Sequence, residues 1–194
     1  MGKKKKHKRE RRDKRSRIHK IRSWVKVNRE LFKAYIIFVV FILITFSVIM
    51  TPWGKDELAK PLNRVIAIVS AWLLNTFGTS AHASSNYISS DLASVKIKEG
   101  CNGVYATMIF LAGIVAYPTS LKKKLIGVVL GTTALFIVNL VRVLSLFYLS
   151  AYYPNLFDEA HLYIWQFAII IIGGLFWLVW YDKIVSPSAA QESV

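Results

Sequence analysis

The sequence predicts an all-α membrane protein: a four-helix transmembrane bundle, an amphipathic helix at its outer interface, and a small extracytoplasmic hairpin. Three observations lead there. Of 194 residues, 54% are hydrophobic and 19% charged. The apolar residues gather into runs, several of them long enough to cross a hydrocarbon layer of ~30 Å. The net charge of +15 is concentrated at one end: residues 1–33 hold 16 Lys/Arg against Glu10, Asp13 and Glu30, while the rest of the chain carries 10 bases and 8 acids.

The opening stretch, "MGKKKKHKRERRDKRSRIHKIRSWVK", is too charged to fold alone. Lys/Arg runs bind nucleic-acid phosphate without sequence preference, but this one feeds directly into an apolar segment. Anionic lipid headgroups along residues 3–33 and the positive-inside rule account for it more simply, and no nucleic acid is expected. It does not read as a cleaved signal peptide either, because the charged region is too long and no small-residue cleavage site follows the apolar run. Residues 1–33 are therefore a basic cytoplasmic arm, 34–182 the transmembrane domain, and 183–194, ending in "SPSAAQESV", a cytoplasmic tail.

Backbone exposed to lipid must bond to itself, so long apolar runs default to helices. The expected spans are 31–50, 104–118, 125–150 and 162–181, the second short but extendable by a turn at its start. The basic arm holds the first end in the cytoplasm, and "LKKK" at 121–124 should lie on the same side. Helix two then runs inward, helix three outward and helix four inward again. Residues 51–103 are left on the outer side.

Within that outer segment, "PLNRVIAIVSAWLLNTFG" (61–78) is apolar enough to suggest a fifth span. Its apolar residues at 62, 65, 66, 69, 72, 73 and 77 follow helical spacing, with Asn63, Arg64, Ser70 and Asn75 as polar members. An amphipathic helix lying at the outer interface or tucked against the bundle is expected. The Ser- and Asn-rich stretch after it ends in "ASVKIKEG", whose alternating Val95 and Ile97 predict a hairpin or pair of strands.

This topology brings three unusual residues to one level. Cys101, the only cysteine, begins helix two at the outer surface. Arg142 lies seven to eight residues below the outer end of helix three, about 11 Å at 1.5 Å per residue. His161 begins helix four, behind Asp158 as a candidate N-cap. A lone cysteine in an apolar protein is usually a small buried hydrophobe. Here, however, it faces an oxidising compartment with no disulfide partner, and a helix N-terminus favours its thiolate. Gly100 and Gly103 leave its backbone uncrowded, while Glu99 would act against ionisation.

An intramembrane arginine costs at least ~2.5 kcal/mol on insertion scales and normally faces a polar interior. The bland alternative is an arginine bonded to loop carbonyls or snorkelling outward. Asn139 and Ser145, three residues either side, extend a polar stripe. A thiol beside an imidazole suits nucleophilic attack on an acyl group; His82 is a weaker candidate in a loop, and His7 and His19 are cytoplasmic. "GVVLG" at 127–131 reads as a packing motif against Ala112 and Ala116. Trp165, Trp177, Trp180 and Tyr181 read as interfacial rings. With no metal-ligand cluster, phosphate loop or dinucleotide fingerprint, neither metal nor cofactor is expected.

"EGCNGVYA", "NLVRV" and "DEAHLYIW", in this order between hydrophobic helices, resemble the exosortase/archaeosortase superfamily of membrane cysteine transpeptidases, most like exosortase H. The resemblance covers roughly residues 35–182. It implies a bacterial inner-membrane enzyme whose active site faces the periplasm. Its partners would be secreted proteins with a C-terminal sorting segment of short motif, hydrophobic helix and basic tail, here of IPTL rather than PEP type. It also implies Cys101 as nucleophile, Arg142 as the family's arginine and His161 as base. Asn102, Gly103, Asn139 and Ser145 would support them, although "CNG" stands where "CSG" is common elsewhere in the superfamily. A purely hydrolytic membrane peptidase and a non-enzymatic scaffold subunit remain as rival readings.

Overall fold

The computed structural model describes residues 28–98 and 100–187. The basic arm up to residue 27 (with His7 and His19), Glu99 and the tail from residue 188 lie outside the described residues. Helix α1, Arg29–Met50, holds no charged residue after Lys33 and buries none of its side chains within the protein. The Thr45 hydroxyl is satisfied by donating to the Phe41 carbonyl at 2.7 Å. The helix stops at Thr51, which is extended ahead of Pro52, as proline requires of its predecessor. The Thr51 hydroxyl then accepts from the Gly54 N–H at 3.0 Å, capping the turn that follows.

Helical turns Pro52–Gly54 and Lys55–Ala59 lead into α2, Lys60–Thr76. The helix is where 61–78 predicts it, but its buried side is a different stripe. Asn63, Ile66, Ala67, Ser70, Ala71 and Leu74 face inward, while Val65 and Trp72 are exposed. The reason is the solvent. Against lipid the bulky apolar face is indifferent to which way it turns, and small or polar residues are the ones that gain from facing protein.

Three short strands follow where a hairpin is expected, so the fold is not wholly α. They are β1 (His82–Ser84), β2 (Tyr87–Ser89) and β3 (Ser94–Lys96), antiparallel in the order β1-β2-β3. A tight turn joins the first two, with Ser85 at φ 54°. The expected alternation is realised: Ile88, Val95 and Ile97 are buried with Ile66 and Leu74 of α2.

Helix α3, Val104–Ala116, is central and packs against α1 and against the two helices that follow. It does not extend by a turn at its start. Gly103, at φ 72°, adopts the left-handed conformation and ends the helix there. Thirteen residues rise only about 20 Å, less than a hydrocarbon layer. Helix α4, Leu121–Tyr152, overruns the expected 125–150 at both ends, and Lys124 Nζ donates to the Val115 carbonyl at the end of α3.

The loop expected between the last two helices is largely helical. Turns Pro154–Leu156, Phe157–Glu159 and Ala160–Ile164 run into α5, Trp165–Trp180, and Tyr181–Val185 continues it. Asp158 is therefore inside a helical stretch rather than its N-cap, and makes no capping bond. Three helical stretches are long and apolar enough to cross a membrane, Arg29–Met50, Leu121–Tyr152 and Pro154–Val185, with Val104–Ala116 as a shorter apolar fourth.

The nearest neighbours of the "GVVLG" glycines are aromatic rings. A Cβ at Gly127 would strike the Trp180 indole, and one at Gly131 the Phe110 ring. Trp180 is accordingly buried, and its Nε1 donates to the Lys123 carbonyl at 3.0 Å. It is a core residue rather than an interfacial ring. Tyr117 packs edge-on to Trp177, Trp180 and Tyr181 at the same end.

Candidate active site

Cys101 sits on the segment between β3 and α3, and this segment is fixed at several points. Its N–H donates to the Lys98 carbonyl at 3.0 Å, closing a tight turn. Asn102 is buried; its Nδ2 donates to Asn63 Oδ1 at 2.9 Å, tying the segment to α2. Asn102 Oδ1 accepts from the Val104 N–H at 3.2 Å, satisfying one of the free donors at the start of α3. Gly103 is required twice over: a side chain would be strained at its φ, and a Cβ would come within 3.1 Å of the Asn139 side chain. Gly100, at φ 93°, makes the other left-handed bend.

The structure brings the three predicted residues together. Cys101 Sγ lies 3.2 Å from His161 Nε2 and 3.6 Å from Nδ1. Arg142, 1% exposed, reaches up from α4 between the two segments that carry them. Its Nη1 donates to the Gly100 carbonyl and its Nη2 to the His161 carbonyl, each at 3.4 Å. These are long bonds, Nε has no partner, and among the described residues no carboxylate pairs with the guanidinium. His161 is steadied by Phe157, one helical turn before it, with ring centroids 5.8 Å apart and planes at 14°.

Of the supporting residues, Asn139 is 1% exposed with both amide atoms unpartnered. It lines a cavity of about 160 Å³ with Asn102, Gly103 and Thr132, behind the Cys101 segment. Ser145 does not line the cavity that holds Cys101, and its hydroxyl donates to the Arg142 carbonyl of its own helix at 2.8 Å. His82 lies on β1, exposed, and does not line the cavity that holds Cys101. Asn63 and Phe157 are the positioning residues that sequence reasoning missed. The i, i+4 spacing of Phe157 and His161 was the available signal for the second; Asn63 stood out as a polar member of its helix, but nothing linked it to Asn102. Among the described residues no three His, Cys, Asp or Glu side chains gather as metal ligands would.

Burial pushes the Cys101 thiol above its ordinary value, and it outweighs three opposing influences: the Arg142 charge, a backbone hydrogen bond at Lys98 and the Lys98 charge. The helix-terminus effect expected from sequence is weakened because Cys101 stands three residues before Val104. At neutral pH the group therefore rests as a thiol. Its alkylation by iodoacetamide should rise with pH through a midpoint above the free-cysteine value of about 8.5. A plateau complete by about pH 7.5 would instead reveal a standing thiolate–imidazolium pair.

A thiol in contact with an imidazole, beside a buried cation and on helices able to cross a bilayer, defines a polytopic membrane protein with a thiol-centred candidate site. The sequence matches the transmembrane exosortase family (Exosortase_EpsH) over residues 24–180, and the chain belongs to that family. Membership associates it with the processing of C-terminal sorting signals on exported proteins. No curated protein and no solved structure matches it.

Proposed function

We propose that the protein is a cysteine transpeptidase of the bacterial inner membrane, cleaving C-terminal sorting segments of exported proteins and transferring the new C-terminus to an acceptor. The observation that carries this reading is the 3.2 Å contact between Cys101 Sγ and His161, with Arg142 bonded to both of their segments. His161 takes the thiol proton, and the thiolate attacks the scissile carbonyl carbon. The C–S bond forms, and the negative charge on the carbonyl oxygen is held by the Arg142 cation and N–H groups near Gly103. As the C–N bond breaks, His161 returns its proton to the leaving amine. An acceptor amine or hydroxyl then displaces sulfur from the thioester.

Sidedness follows the positive-inside rule, with Lys122, Lys123 and Lys124 and the basic arm of residues 3–33 on anionic cytoplasmic headgroups, and Cys101 at the opposite end of α3. Residues 1–33, 34–182 and 183–194 then serve as arm, catalytic domain and tail, with both termini cytoplasmic. The substrate's hydrophobic helix has a matching cleft. Between α1, α3 and α5 runs an apolar groove of about 470 Å³, floored by Ala106 and Gly113 and flanked by Gly173, Gly174 and Trp177. Small residues let a further helix approach closely. The likeness to exosortase H points to an IPTL-type segment.

The test is capture of the acyl-enzyme. Membranes holding the full chain and a reporter with an IPTL-type C-terminal segment, quenched in acid, should yield a hydroxylamine-labile adduct on Cys101. The reporter product should carry added mass at its new C-terminus. A free carboxylate on every product molecule, with the adduct present, leaves the hydrolytic peptidase; no adduct and unprocessed reporter leave the scaffold.

A further inference from the structure

We infer that β3 is a docking strand, and that the peptide presented to Cys101 adds to its free edge as a fourth, extended strand. The inference rests on the reading of Cys101 as nucleophile and assigns how that site holds its substrate. β3 closes the sheet on one side, since the order is β1-β2-β3. The parity of the ladder fixes which backbone groups remain free. Ser90 N donates to the Ala93 carbonyl at 2.9 Å and Ile97 N to the Asn86 carbonyl at 2.8 Å. With Val95 opposite Ile88, residues 93, 95 and 97 point their backbone groups at β2. In an antiparallel pair the alternate residues then point theirs the other way. Ser94 and Lys96 therefore direct N–H and C=O outward, and among the described residues no strand pairs with that edge.

An edge of this kind is normally guarded, most often by a lysine. Here Lys96 is folded back over the sheet, with Nζ 5.0 Å from the centroid of the Tyr87 ring on the neighbouring strand. The edge instead opens on a cavity of about 270 Å³ whose wall runs from Ser94 to Lys98 and on to Cys101 and His161. Its far wall carries an apolar strip of Val143 and Leu146 from α4 with Phe157, bordered by Ser150 and Asp158. A peptide lying there would bond its backbone to Ser94 and Lys96 and place alternate side chains on that wall, the signature of strand addition. Cys101 follows β3 and precedes the helix that floors the apolar groove. One substrate chain can thus run from strand, over the thiol, into helix. The ligand class is an extended segment with apolar residues at every second position.

Lys96→Pro tests the edge, because proline is tolerated on an edge strand where its missing N–H faces outward. In membranes carrying the full chain and the same reporter, processing by Lys96→Pro should fall roughly tenfold below that of Lys96→Ala. As a second measurement, p-benzoylphenylalanine at position 94 in a Cys101→Ala background should photo-cross-link to reporter residues flanking the cleavage site. Equal processing by the proline and alanine variants overturns the inference. So does a cross-link to a second copy of this chain, or none. Cross-linking to the reporter while Cys101→Ala still processes it would uphold the docking strand and remove Cys101 as nucleophile.

Discussion

Changing Cys101 to alanine lowers processing of a co-expressed reporter by at least about a thousandfold, the scale seen when a covalent nucleophile is removed. No second thiol exists in the chain to substitute for it. Serine at the same place fares little better, because an alcohol is a far weaker acid than a thiol and His161 is a correspondingly poor base for it. The measurement is the ratio of processed to unprocessed reporter at equal levels of folded enzyme. Full processing by the alanine variant would mean that the 3.2 Å thiol–imidazole contact is an incidental packing arrangement.

Arg142→Leu separates stability from activity. Among the described residues no carboxylate pairs with Arg142, so its burial costs several kcal/mol of desolvation that an apolar side chain of similar size does not. The two bonds that Arg142 makes are long, 3.4 Å each, and Nε makes none. The expected result is a Tm in detergent no lower than that of the parent, with processing at saturating substrate reduced about 10²–10³-fold through loss of oxyanion stabilisation. Arg142→Lys recovers part of that rate, since it restores charge but reaches only one of the two carbonyls. A fall in Tm together with wild-type processing in the surviving folded fraction would make Arg142 a helix-to-loop brace and nothing more.

The spans and the site residues were legible for different reasons. Long apolar runs have one solution in lipid, so the helices around Phe38, Phe136 and Ile171 could be placed directly. Cys101, Arg142 and His161 could be brought to one level because each helical hairpin returns the chain to the side it left. Orientation about a helix axis was less legible. In α2 the eye follows Val65 and Trp72, which are exposed, whereas Asn63 and Ser70 face the protein. Hydrophobicity marks the buried side of a helix in water; next to lipid it carries no such information. Asn63 could not be found as the anchor of Asn102, because that bond joins residues 39 apart and has no local pattern. The third strand was missed for a related reason, since three-residue strands give alternation little room to show.

The brevity of α3 has a consequence for where the chemistry meets water. Its Tyr117 end lies beside Tyr181 and the Lys122–Lys124 run, with Lys124 Nζ donating to the Val115 carbonyl, a placement suited to a headgroup boundary. The shortfall of about 10 Å against an ordinary bilayer therefore falls at the other end, beside Cys101. Neighbouring lipids must compress or tilt to meet it, as they do around any mismatched segment. On the proposed function, a dip of the membrane surface there would let a hydrated acceptor reach the sulfur without leaving the aqueous phase.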